Sequence, residues 1–177
     1  MMSKEVKNTF KILADKGITK EFLYKNAETT DSFNISLQGL CDELKIKIVV
    51  ENNLIDENGK TISGKSDCKE KIIYINGSDI GERMSFTLGH ELYHVLNNQN
   101  EERNENNKFS ENELNANAFS AELLMPEDIL RKKIEEFDID TLMLNFGFGI
   151  EDLAKYFQVS YPAMCVRLFN LGLINSL

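Results

Sequence analysis

Histidine is nearly missing from this chain, with two in 177 residues. A site built on three imidazoles is therefore excluded. Cysteine is also scarce. Cys41, Cys68 and Cys165 are odd in number, far apart and without C-x-x-C spacing. They read as reduced thiols, which points to a cytoplasmic protein. Positive charge is in deficit: 20 Lys and Arg against 29 Asp and Glu give a net charge of −9. That balance argues against direct nucleic-acid binding as the main task, although a basic DNA-binding protein would be attracted to such a surface. No apolar run approaches a membrane span, and the opening MMSKEVKNTF lacks the apolar core of a signal peptide. No internal repeat is visible.

What is present converges on five residues, His90-Glu91-Leu92-Tyr93-His94, which hold both histidines. At about 100° per residue, positions 90 and 94 share one helix face and Glu91 leans over the same side. Two imidazole nitrogens can then grip one metal ion with a carboxylate beside it, the H-E-x-x-H arrangement of zinc hydrolases. The bland alternative is a surface helix that happens to carry these residues. Against it, Met84, Leu88, Leu92 and Val95 form an apolar stripe on a different side from Thr87, His90, Glu91 and His94. The polar face would line a cleft.

The apolar fraction of 42% suffices for a core, and the length suits one domain with a helical appendage. We divide it into residues 1–140 and a C-terminal helical segment, 141–177. Val6, Phe10 and Leu13 predict a helix over 4–16 stopped by Gly17, and Thr19 caps a short second helix through Ala27. ETTDSFN (28–34) reads as a polar turn. Leu37, Leu40, Cys41 and Leu44 mark a third helix over 35–44. Lys45–Val50 and Lys71–Ile75 read as strands, with one more short strand between them. Asn58-Gly59, Ser63-Gly64 and Asn76-Gly77 supply turn signals. The expected fold class is α+β and zincin-like, a small antiparallel sheet of about three strands packed on helices. Ser78 or Asp79 caps the motif helix, which runs to Leu96. NNQNEERNENNK (97–108) has no apolar residue and reads as a solvated loop. Ser110 caps a largely apolar, buried helix ending at Pro126. TLMLNFGFGI (141–150) is hard to assign, and 150–173 reads as helix, turn, helix with Ser160 as second cap and Pro162 in the first turn.

A catalytic zinc takes three protein ligands and keeps one position open. With no third histidine and no cysteine near the motif, the third ligand must be a carboxylate. Glu113 is favoured: Asn117 lies one turn further on the same face, and an asparagine in an apolar helix suits the task of orienting a zinc-bound histidine. Glu113 could instead complete a capping box with Ser110. Glu111 and Glu122 are the competing acids.

RMSFTLGHELYHVL (83–96) followed by ENELNANAFSAELLMP (111–126) resembles the ImmA/IrrE family of zinc metallo-endopeptidases. The second stretch matches that family's E-x-x-A-[ND]-x-F-x-A-x-x-L-[LM]-P pattern at Glu113, Ala116, Asn117, Phe119, Ala121, Leu124, Met125 and Pro126. LAKYFQVSYPAMCVRL (153–168) is also similar to the segment that follows in many members. The resemblance spans roughly residues 70–170. It implies cytoplasmic, zinc-dependent cleavage of a helix-turn-helix DNA-binding repressor, often in mobile-element or stress-response systems. It makes His90, His94 and Glu113 the metal ligands and Glu91 the catalytic base. Two departures stand out: Tyr93 where glycine is frequent, which would narrow the cleft, and Gly89 where alanine is common, which would loosen the helix.

The substrate is expected to add as an extended strand beside the motif helix, with Lys71–Ile75 as the candidate edge. Two rivals stand beside this. One is a DNA-binding regulator using the 150–173 helix pair, whose charges Glu151, Asp152, Lys155 and Arg167 sum to zero where a recognition helix should be basic. The other is a metal-loaded protein that binds a partner without cutting it.

Overall fold

The turn and cap residues fix the N-terminal layer. In the computed structural model, which describes residues 9–98, 110–136 and 148–175, α1 covers Thr9–Ala14. The expected start at residues 4–8, with Val6, lies outside the described residues. Gly17 adopts φ +83°, and the chain folds back so that the Ile18 N–H donates to Leu13 O at 2.9 Å. This is the left-handed ending that glycine permits. Thr19 caps α2 (Lys20–Tyr24), and Ser36 caps α3 (Leu37–Glu43) by accepting the Gly39 N–H at 3.0 Å. The 28–34 stretch is more than a polar turn. Phe33 is fully buried, its N–H donates to Tyr156 O at 2.7 Å, and its ring meets Phe157 at 5.6 Å.

The three strands are β1 (Lys47–Glu51), β2 (Gly64–Asp67) and β3 (Ile72–Asn76), in the order β1-β3-β2. The α+β class is as expected, but the sheet is mixed. β2 pairs antiparallel with β3, whereas β1 pairs parallel with β3, Ile48 opposite Ile73. The reason is two reversals of direction. The chain turns at 56–60, where Asp56 Oδ1 accepts the Asn58 and Lys60 N–H groups and Gly59 takes φ +77°. It turns again at 69–71, where Asp67 Oδ1 accepts from Lys69 and Glu70. β3 therefore regains the direction of β1 and slots between the other two. Gly64, expected at a turn, opens β2.

The inner face of β3, Ile73 and Ile75, is buried in a core shared with Leu92, Phe119, Leu123 and Leu153. The motif helix, α4 (Gly81–Leu96), packs on that face, so the sheet has one covered side. Its expected caps do other work. Ile80 occupies the N-cap position with no side-chain bond, the Ser78 hydroxyl accepts the Asn53 N–H at 3.1 Å, and the Asp79 carboxylate reaches Arg83 at 3.6 Å. Next come α5 (Glu111–Leu124), capped by Ser110, and α6 (Glu127–Glu136) after Pro126. The tail is α7 (Phe148–Tyr156) and α8 (Tyr161–Asn170), the latter capped by Ser160 with Pro162 in its first turn. Most of the 97–108 loop and of 141–150 lies outside the described residues. No helix among the described residues is long and apolar enough to cross a membrane.

Candidate metal centre

The i, i+4 spacing on α4 brings His90 and His94 to one face, their Nε2 atoms 3.1 Å apart and both side chains 3% exposed. α5 crosses α4 so that Glu113, fully buried, faces both: Oε2 lies 3.4 Å from His90 Nε2 and Oε1 lies 3.1 Å from His94 Nε2. Asn117, one turn along α5, places Oδ1 2.9 Å from His90 Nδ1. That contact holds the His90 ring from its Nδ1 side and leaves Nε2 facing Glu113. Burial alone would raise the Glu113 carboxyl, but hydrogen bonds and charge from His90 and His94 outweigh it and hold it well below the usual carboxylate range.

These three side chains fit a tetrahedral metal ion. Ligand atoms at 2.0–2.1 Å from such an ion stand about 3.3 Å apart. The two Nε2 atoms are 3.1 Å apart, and each faces its own Glu113 oxygen, at 3.4 Å from His90 and 3.1 Å from His94. Among the described residues, His90, His94 and Glu113 form the group of three that can hold a metal. The rival uses of these acids resolve locally. The Ser110 cap takes the backbone N–H of Glu113 at 3.3 Å, so capping and a metal-facing carboxylate coexist. Glu111 is exposed at the helix start. Glu122 is buried in an ion pair with Arg167, whose Nε also donates to Met125 O at 3.1 Å.

Glu91 is 7% exposed and lies beside the start of β2. A Cβ on Gly64 would stand 3.3 Å from Glu91 Cγ, 2.5 Å from Thr87 Cγ2 and 3.0 Å from Tyr74 O. The strand beside Glu91 is therefore β2, and β2 is an edge strand. Lys71–Ile75 is corrected as the candidate edge, because β3 is the central strand. Further along, the Cys68 thiol lies 3.5 Å from His94 O. Gly64, Ser66 and Cys68 are small and alternate toward α4, which lets the helix settle close to the strand.

Tyr93 sits between the motif helix and α5, its ring centroid 5.8 Å from that of His94. It is 7% exposed and packs on Phe119 of α5, ring centroids 5.6 Å apart. The tail does not offer a basic face. Arg167 is 3% exposed and committed to Glu122, and Lys155 lies 3.7 Å from Asp152. Sequence reasoning missed Gly64, Ser120 and Arg167 as contributors around the site. Ser120, a small polar residue inside an apolar helix, offered the same kind of signal that singled out Asn117.

Among curated proteins, none matches this chain. Among solved structures, a Mycobacterium tuberculosis transcriptional regulator is similar, with a TM-score of 0.53 and 15% identity over 93% of this chain and 46% of that one. The chain thus spans about half the length of that relative, and the likeness speaks for the fold. The model of a peptidase family described as the IrrE N-terminal-like domain matches residues 41–169, which takes in the strands, the His90–His94 helix, the Glu113 helix and most of the tail. By that match the chain belongs to the IrrE N-terminal-like, or ImmA/IrrE, family.

Proposed function

We propose that the chain is a zinc-dependent endopeptidase of the cytoplasm whose substrate is a helix-turn-helix DNA-binding repressor. His90, His94 and Glu113 hold Zn2+, Glu91 is the general base, and Asn117 orients His90. The observation that carries this is the fully buried Glu113 carboxylate facing the Nε2 atoms of both histidines. A bound zinc ion would supply Lewis acidity to a water molecule and to the scissile carbonyl. Glu91 takes a proton from the attacking water and returns it to the leaving amine. Asn117 keeps the His90 proton on Nδ1, leaving Nε2 free to donate its lone pair. The substrate lies extended along the open edge of β2, its backbone paired to the strand beside Glu91. Residues 1–140 form the peptidase domain, and 141–177 form the helical segment that braces it.

Purified protein is expected to retain about one zinc per chain, the stoichiometry of a mononuclear site. Glu91→Gln should keep that metal and lose cleavage by roughly 100-fold or more. Candidate repressors are incubated with each form, with and without chelator, and fragments are read by mass spectrometry. Zinc uptake without cleavage of any repressor by the wild type would point to the non-cutting, partner-binding alternative. The Glu91→Gln form then serves as bait for an uncut target.

A further inference from the structure

α5 meets α4 along one face at residues spaced by four and three, Glu113, Asn117 and Ser120. The first two face the histidines. The third reaches α4 at Gly89. A Cβ there would lie 2.5 Å from Ser120 Oγ, 3.2 Å from its Cβ and 3.3 Å from its Cα. The last two distances belong to atoms that cannot rotate away, so the neighbouring helix itself would have to give by a few tenths of an ångström. Into the space left by the missing Cβ, the Ser120 hydroxyl, fully buried, donates to Phe86 O at 2.8 Å. In an α-helix that carbonyl also accepts the N–H of residue 90. The bond from α5 therefore lands on the helical turn that presents His90.

We infer that the Gly89–Ser120 contact sets the separation of α4 and α5 at which Glu113 meets both imidazoles, so that Gly89 and Ser120 are positioning residues for the metal centre. The metal part of this rests on the function proposed above. The magnitudes make the link tight. Zinc–ligand distances are held to within about 0.2 Å. A displacement of a few tenths of an ångström at Ser120 is of the same size, and Asn117 and Glu113 lie within two turns on the same rigid helix. The glycine that departs from the family's usual alanine is thus matched to a serine across the interface.

The sign of one substitution separates this from a local effect. Helix propensity favours alanine over glycine, so Gly89→Ala acting only within α4 would raise the Tm of the metal-free protein. The spacing role requires it to fall. Zinc affinity, measured by competition with a chromophoric chelator, should weaken by about tenfold to a hundredfold in Gly89→Ala, the range seen when groups supporting a ligand are lost. Adding Ser120→Gly removes the facing Cβ and should recover part of that affinity, short of the wild type because the bond to Phe86 O goes with it. Gly89→Ala that binds zinc like the wild type, or melts higher without metal, overturns the inference, as does a double variant with no recovery. Should Gly89→Ala fail to fold, Ser120→Ala decides: it keeps the space and loses only the bond, so weaker zinc binding supports the role and unchanged binding overturns it. A wild type that takes up no zinc sinks the metallopeptidase proposal separately, and the spacing role is then judged on the metal-free Tm.

Discussion

Gly64 shows how much depends on what is absent from a side chain. Gly64 has no Cβ, and the space is taken by Thr87 and Glu91 from the motif helix. Gly64→Ala should leave zinc content intact and lower kcat by up to about a hundredfold, since small misplacements of a catalytic group carry that cost. Thr87→Ser in the same background removes the 2.5 Å conflict with Cγ2 and should restore part of the loss; steady-state kinetics on both variants check it. Cys41 shows burial acting on titration. Removal from water, then the charge of Asp42, pushes its thiol up to about 12 from an ordinary 9.0. The folded state therefore keeps the neutral thiol while the unfolded state ionises. This contribution to stability is whole below pH 9.0 and is lost as pH rises toward 12. Unfolding free energy measured across that window should fall more steeply in the wild type than in Cys41→Ala, by at most about 1.4 kcal/mol per pH unit.

At the scale of elements, the decisive joints are α4 with α5 and α5 with α8. The second is an ion pair, Glu122 with Arg167, both side chains 5% exposed or less. Their neighbours are satisfied as well: Arg167 Nε donates to Met125 O, and Glu122 Oε1 accepts the Glu127 N–H at 3.4 Å. Removing one partner strands a buried charge. Arg167→Met should destabilise the fold by about 3–5 kcal/mol, read from the urea midpoint, while Glu122→Gln added to it should return a large part. Equal loss in the single and double variants would mean that packing, not the stranded carboxylate, sets the cost. The same joint explains why the tail is a brace. Its one central cation points into the core, and the charge it leaves at the surface is Glu151 and Asp152 with Lys155.

For the whole molecule, the surplus of acid is the property a partner meets first. With a net charge of −9, the chain attracts basic proteins over distances beyond contact. If the substrate is a basic DNA-binding repressor, as proposed, KM should rise as salt is raised from about 50 to 200 mM while kcat stays nearly constant, because screening slows encounter and leaves the buried centre alone. Cleavage assays over a salt series test this. A KM indifferent to salt would argue for a neutral substrate. The similar Mycobacterium tuberculosis regulator is about twice as long as the stretch matched here, so nothing in its full length transfers to this chain beyond the fold.

The chain's local chemistry was open to direct reading. A four-residue spacing places two imidazoles on one face whatever surrounds the helix, and Gly17, Thr19, Ser110 and Ser160 end or cap their helices through bonds within a few residues. Glu113 and Asn117 were legible because polar residues in a buried helix need partners. What tertiary structure alone decided involves residues far apart in the chain. The strand order came from two successive reversals, which put β3 in the centre and β2 beside the motif helix. Glu113 faces the histidines while Glu122 is held elsewhere, paired with an arginine 45 positions away. Gly89 and Gly64 gained their meaning from side chains on other elements filling the space they leave. Short-range bonds are fixed by covalent spacing; the separation between packed elements is set by which side chains meet, and spacing along the chain does not encode that.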